Sequence, residues 1–361
     1  MADMDFLPLA EELLAIRSTA DRPDDLHRAL DLVLDVVGPG LVVERFESNG
    51  KPSALVHAGG RRPFRVILNA HLDVVPGTDD QFRPRREGDR LIGRGTQDMK
   101  LSALVQALVF RELATTLPIA LQLVTDEEVG GRDGTAHQLA QGVTGEFVVI
   151  GEHSGLRVVT ESKGIATARL RATGLAGHSA YQWLGDNALL KLSRAVDAVL
   201  AAYPVATEEA WRTTVNLARV ATDNQALNQV PADATAWLDI RFPADDPDFT
   251  GRTADEVAAH LTALCPPGVT AVVDSLEPPH RADPDNPDVI ALRAAARAQG
   301  HSGDLLRKHG AADSRFYFQR GVDAVIFGIG GNGQHGPDEY ADLTTVAPYR
   351  RALRAFLRTF A

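Results

Sequence analysis

Five short segments gather the residue types that hold metals and move protons. NAHLDVVPG (69–77) sets His71 two residues before Asp73, and GRGTQDMK (93–100) carries Asp98 in a glycine-rich turn. TDEEVGG (125–131) puts Glu127 beside Glu128, IGEHSG (150–155) contains Glu152, and GNGQHGPDEY (331–340) contains His335. Two histidines and three carboxylates (His71, Asp98, Glu128, Glu152 and His335) suit a pair of borderline metal ions, above all zinc. The same donors would fit manganese or cobalt. One carboxylate bridging two ions about 3.5–4 Å apart is the usual two-metal arrangement, and Asp98 is the candidate bridge. His71 and Asp73 share a face of an extended segment, so Asp73 can accept the second ring N–H of His71 and fix its tautomer.

Taken singly, some of these signals have an ordinary alternative. Asp98 could cap the helix that follows it, and a lone loop histidine such as His335 is more often a bystander. The Glu127–Glu128 pair differs from the other two Glu-Glu pairs, Glu11–Glu12 and Glu208–Glu209, which sit in polar, helix-like stretches. It follows the apolar run IALQLV (119–124) and precedes Gly130-Gly131. If the backbone there is extended, the two side chains face opposite ways. One carboxylate could then coordinate metal while the other meets the substrate as a base. Asp126 reads as a solvated turn acid.

The elements that must position these groups follow a strand–helix–strand rhythm. RVILNA (65–70), IALQLV (119–124) and EFVVIG (146–151) read as buried strands, and 99–117 as a helix with one apolar face. Helical spacing also covers 5–17 and 24–37. This order predicts an α/β sheet with parallel pairs, whose ligand crevice lies beyond the carboxyl ends of the strands. After Gly164 the texture changes. Alternating strands at 165–173, 213–221 and 234–242, helices at 186–203 and 253–264, and a strand at 269–274 give the order of a ferredoxin-like unit with one solvated sheet face. The first texture returns near 276, with a helix at 284–300 capped by Asn286, a buried strand at 322–331 and a closing helix at 346–360. The expected organisation is a catalytic α/β domain over 1–164 and 276–361, interrupted by an inserted domain over 165–275.

Composition narrows the function classes. The chain has 361 residues, a formal net charge of −11 and no basic stripe, which argues against a nucleic-acid partner. Its one cysteine, Cys265, excludes an internal disulfide framework. The first 16 residues open with acids rather than a basic leader, and no apolar run is long enough for a membrane span. The expectation is a cytoplasmic protein without membrane or nucleic-acid partners.

The motifs HLD (71–73), GRGTQDMK, TDEEVGG, GE (151–152), GHSAY (177–181), NQVP (228–231), DIR (239–241) and HGPDEY (335–340) stand in an order and spacing that resembles one family. It is similar to the co-catalytic di-zinc peptidases and deacylases: acetylornithine deacetylase, succinyl-diaminopimelate desuccinylase, aminoacylase and glutamate carboxypeptidase. The resemblance implies a zinc-peptidase-like α/β domain with the inserted unit as lid and dimerisation domain, hence a homodimer. It implies that His71, Asp98 and Glu152 hold one zinc while Asp98, Glu128 and His335 hold the other. Glu127 would take the proton from the attacking water and pass it to the leaving amine. His178 would reach the partner subunit's site and stabilise the oxyanion, and Asn228, Arg241 and Tyr181 would contact substrate. The implied reaction is hydrolysis of an amide or peptide bond next to a carboxylate, in a short peptide or an N-acyl amino acid. The alternative is a non-catalytic metal-binding or interaction protein on the same scaffold. Three departures bear on the substrate. His153 stands where the family often has proline, and Gly310-Ala311-Ala312-Asp313 replaces a threonine-bearing stretch. Ser162-Lys163-Gly164 lacks the basic pair expected of a desuccinylase, whereas Tyr181 matches that group.

Overall fold

The computed structural model describes residues 6–60 and 62–361, and the chain divides into two compact units. One comprises the described residues up to Thr160 with Arg281–Arg307 and Ala312–Ala361; the other comprises Glu161–His280 and Lys308–Ala311. The expected insertion at 165–275 falls inside the second unit.

The first unit is built on a mixed sheet. Its centre is four parallel strands in the order Ile119–Val124, Phe64–His71, Gly145–Ile150 and Asp323–Ile326. These strands are covered on both faces, which is why they read as continuous apolar runs rather than alternating ones. Val66, Leu68 and Ala70 pack with the helices Pro23–Val37, Leu101–Leu113 and Val346–Leu357. Ile67, on the opposite side of the same strand, belongs to a second core cluster with Phe64, Leu139, Phe316 and Tyr317. An antiparallel hairpin, Val42–Ser48 and Lys51–His57, extends the sheet at the edge. Apolar periodicity does not reveal this hairpin, because Val42–Ser48 is largely exposed. The sequence does hold a turn signal there: Asn49 and Gly50 both take positive φ, as a two-residue hairpin turn requires.

Several expected boundaries shift. The helix foreseen over 5–17 runs Phe6–Ala15, with residue 5 outside the described residues. The helix foreseen over 99–117 begins only at Leu101, after a distorted turn at Thr96–Lys100 in which Asp98 has φ −126° and ψ 98°. Asp98 is therefore not a helix cap. The apolar stretch 322–331 is two strands, Asp323–Ile326 and Gly330–Asn332.

The main sheet of the second unit is antiparallel, in the order Thr214–Ala221, Asp233–Phe242, Gly164–Thr173, Val269–Glu277, which is the ferredoxin-like order. Ala166, Ala168, Leu170 and Ala172 point from one strand into a core with the helices Ala188–Ala202 and Ala254–Leu264. The alternate residues of that strand are half-buried or exposed, so one sheet face is partly open. Asn187 and Thr253 cap the two helices with their side chains.

Candidate metal centre

Four donor residues of the first unit lie at or just beyond the carboxyl ends of its parallel strands. His71 ends the strand Phe64–His71, Glu152 follows Gly145–Ile150, and Glu127 and Glu128 follow Ile119–Val124. His335 lies beyond Gly330–Asn332, with its backbone in the left-handed region at φ +61°.

Asp98 lies between the two histidines. Its Oδ1 is 3.1 Å from Nε2 of His71, and its Oδ2 is 3.3 Å from Nε2 of His335. Nε2 of His335 is also 3.1 Å from Oε2 of Glu128. Two groups of ligand atoms result, His71–Glu127–Glu152 and Asp98–Glu128–His335, each with its atoms within 4.8 Å of one another. His71, Asp98 and Glu152 are buried, while His335 is exposed.

This concentration of buried carboxylates sets the protonation pattern. Burial pushes the imidazole of His71 down, but Asp73 and Asp98 outweigh that and raise it well above its ordinary value. Asp98 and Glu128 push His335 up to about 10. Burial raises Asp98, yet hydrogen bonds from His335 and His71 hold it well below the usual carboxylate range. Burial and the nearby Glu152 raise Glu127 well above that range. The site is thus an acidic well that gathers positive charge. Its mixed nitrogen and oxygen donors suit a divalent metal, which would displace the histidine protons on binding.

The turn that carries Glu127 and Glu128 differs from the expected extended backbone. Glu127–Val129 is a short 3₁₀ turn, so strand alternation does not separate the two carboxylates. They join different groups because Asp73 fixes the turn beneath them. Its Oδ1 accepts the Glu127 amide at 3.2 Å and its Oδ2 accepts the Glu128 amide at 3.0 Å. The hydrogen bond foreseen from His71 to the Asp73 carboxylate goes instead to the Asp73 backbone carbonyl, 3.0 Å from Nδ1, with the carboxylate at 3.5 Å. Asp126 is not a solvated turn acid. It is buried, its Oδ2 accepts the Asp133 amide at 2.6 Å, and burial together with Asp313 pushes its carboxyl up to about 7.

Three supporting groups escape sequence reasoning. Gln334 donates to Oδ2 of Asp98. Arg94 and Glu339 form a buried ion pair beside the Asp98 turn. Asp313 accepts from Oγ1 of Thr135 at 2.5 Å, behind the Gly130-Gly131 turn. Each partner is distant in sequence, so no local spacing marks the contact.

The other expected residues lie in the second unit. His178 pairs with Gln229 across a two-residue ladder, and the Ser179 amide donates to the Asn228 carbonyl at 3.0 Å. The His178 and Tyr181 rings are 5.5 Å apart. Nδ1 of His178 accepts the Ala180 amide, which leaves the proton of the neutral ring on Nε2. Arg241 forks onto Asp239, with Nε–Oδ1 2.8 Å and Nη2–Oδ2 3.0 Å. Lys163 is buried and donates from Nζ to the carbonyls of Ala210 and Arg212.

The profile of peptidase family M20/M25/M40 matches residues 67–359. A succinyl-diaminopimelate desuccinylase of Acidiphilium cryptum is 32% identical, the alignment covering 94% of each chain. Another, of Cereibacter sphaeroides, is 28% identical over 98% of each. Among solved structures, a tripeptidase from Staphylococcus aureus superposes with a TM-score of 0.78 at 18% identity, covering 98% of this chain and 97% of that one. A metallo-carboxypeptidase from Sulfolobus solfataricus gives 0.74 at 17%, covering 99% of each. At these identities the structures establish the likeness of fold.

Proposed function

This chain belongs to the peptidase family M20/M25/M40, and from that premise we propose that it hydrolyses amide or peptide bonds with two zinc ions. Metal-dependent hydrolysis of such bonds follows from the family, and a non-catalytic role is not favoured. The observation that carries the two-ion reading is Asp98, one oxygen 3.1 Å from His71 and the other 3.3 Å from His335. In the proposal His71, Asp98 and Glu152 hold one ion, and Asp98, Glu128 and His335 hold the other. Bound cations of this kind lower the pKa of a shared water and polarise the scissile carbonyl.

The remaining steps belong to side chains. Glu127, beside His71 and Glu152, accepts the proton of the attacking water and later delivers it to the leaving amine. Asp73 holds the backbone amide of Glu127 and so aims its carboxylate. His178 of a partner subunit donates from Nε2 to the developing oxyanion. Asn228 and Tyr181 contact the substrate, and Arg241 trades Asp239 for the substrate carboxylate. The enzyme acts in the cytoplasm as a homodimer. A monomer in sedimentation, or recovery outside the cytoplasm on cell fractionation, would count against that placement.

The substrate class is a short peptide or an N-acyl amino acid with a free carboxylate. The named relatives are desuccinylases, yet the one lysine at the entry to the second unit, Lys163, has its ammonium turned to backbone carbonyls. That favours a peptide or monocarboxylate over a succinyl dicarboxylate. Zinc-loaded protein assayed on dipeptides, N-acetyl and N-succinyl amino acids should cleave the first or second faster than the third. A preference for N-succinyl substrates would overturn the substrate reading, and no metal uptake would overturn the whole of it.

A further inference from the structure

Arg94 and Glu339 take no part in the proposed chemistry, yet their side chains are only 3% and 1% exposed. Burying two opposite charges is costly unless further hydrogen bonds satisfy them, and an apolar pair would often serve stability as well. Most of the extra hydrogen bonds lead to the ligand segments, and one more runs from Nη2 of Arg94 to the Pro76 carbonyl at 3.5 Å. Oε2 of Glu339 takes Nη1 of Arg94 at 2.5 Å, and Oε1 accepts the amides of Gln97 at 3.1 Å and Asp98 at 3.2 Å. From the other side, Nη2 of Arg94 donates to the carbonyls of His335 at 3.2 Å and Gly336 at 3.4 Å. One ion pair thus links the amide of Asp98 to the carbonyl of His335. It does so where His335 holds a left-handed backbone at φ +61°, a region few non-glycine residues adopt. A carbonyl fixed by a guanidinium steadies that conformation.

We propose that Arg94 and Glu339 are positioning residues that set the separation of the Asp98 and His335 side chains, and with it the affinity of the Asp98–Glu128–His335 group for its cation. The inference rests on the metal-ligand reading above. Neither residue touches reacting atoms. Their effect runs through the backbone of the two segments they join.

The test titrates metal-free protein with Co²⁺, following heat and visible absorption, with thermal unfolding alongside. Glu339→Gln keeps size and an amide acceptor but removes the charge. Arg94→Lys keeps the charge but removes the fork. Asp288→Asn is the control: it breaks the ion pair with Arg65, at 2.6 Å in the same unit, at the end of the strand Phe64–His71 away from His71. Glu339→Gln and Arg94→Lys should bind the weaker Co²⁺ about 10–100-fold less tightly, the range typical of residues that orient metal ligands. Their visible spectra should change with it. Asp288→Asn should lose thermal stability and titrate like wild type. Wild-type affinity and spectrum in a folded Glu339→Gln or Arg94→Lys protein overturns the proposal. So does an equal loss in Asp288→Asn, and so does failure of both test variants to fold, which would make the pair a plain structural strut. Wild-type protein that takes up no Co²⁺ instead sinks the metal-ligand reading.

Discussion

Glu127 and Glu128 are neighbours in sequence that keep different company in space. Glu128 meets His335 at 3.1 Å, while Glu127 joins His71 and Glu152. Removing the charge of one should therefore spare what the other does. Glu127→Gln keeps the volume and loses the base, and positioned acid–base groups contribute about 10²–10⁴-fold to rate. We expect kcat to fall by that order while metal content, read by elemental analysis, stays at the wild-type ratio. A variant that keeps its kcat would remove Glu127 from the proton path. At this scale the sequence is legible where chemistry restricts choice. Few residue types bind metals, so His71 stands out at a strand end, and Asp98, Glu128, Glu152 and His335 in the short loops and turns between elements. What holds them is not legible. Arg94 and Glu339 are 245 residues apart, and nothing local to either marks the contact. Asp126 misleads for the same reason: an acid in a turn is ordinarily solvated, and its burial, with the nearby charge of Asp313, comes from chain distant in sequence.

The 3₁₀ turn Glu127–Val129 is the element on which the two roles depend, and Gly130-Gly131 ends it. Both glycines take positive φ, at +115° and +64°, but their surroundings differ. A Cβ on Gly130 meets nothing within 4 Å, whereas one on Gly131 would lie 2.1 Å from Oδ1 of Asp313 and 2.8 Å from Phe316. Gly130→Ala should therefore cost only the backbone penalty, about 1–2 kcal/mol. Gly131→Ala adds overpacking of about 1–3 kcal/mol and displaces Asp313, which Thr135 holds. Chemical unfolding should rank Gly131→Ala clearly below Gly130→Ala, with kcat falling further in the former; equal effects would mean that Asp313 does not brace the turn. The parallel strands are readable because burial on both faces leaves unbroken apolar runs. The turn is not, because a run such as TDEEVGG fits extended and 3₁₀ backbone equally until Asp73 takes the two amides. The exposed hairpin at Val42–His57 escapes apolar periodicity and is marked only by Asn49-Gly50.

Across the whole molecule, the candidate ligands and the proposed base Glu127 lie in one unit, and His178 lies in the other. Each unit has its own core, so the sequence change of texture at Gly164 marks a real difference in packing: a sheet covered on both faces against one partly open. The second unit leaves Trp183 at 75%, Leu184 at 64% and Leu227 at 102% exposure close to His178 in sequence or pairing. Exposed apolar groups of that size favour a partner surface. If His178 serves the partner's metal site, each complete site draws on two chains. His178→Ala and Glu127→Gln chains would then be inactive apart and complementary together. In a mixed dimer the site of the His178→Ala chain has its own Glu127 and receives His178 from its partner. The other site lacks both. Random exchange makes half the dimers mixed with one complete site of two, so mixing equal amounts should restore about a quarter of wild-type activity. Exchange is followed independently by a mass tag on one chain. Full exchange without recovery would place His178 outside the partner's site. It would also leave the exposed aromatic and apolar groups around it to be explained by contact with substrate instead of with a second chain.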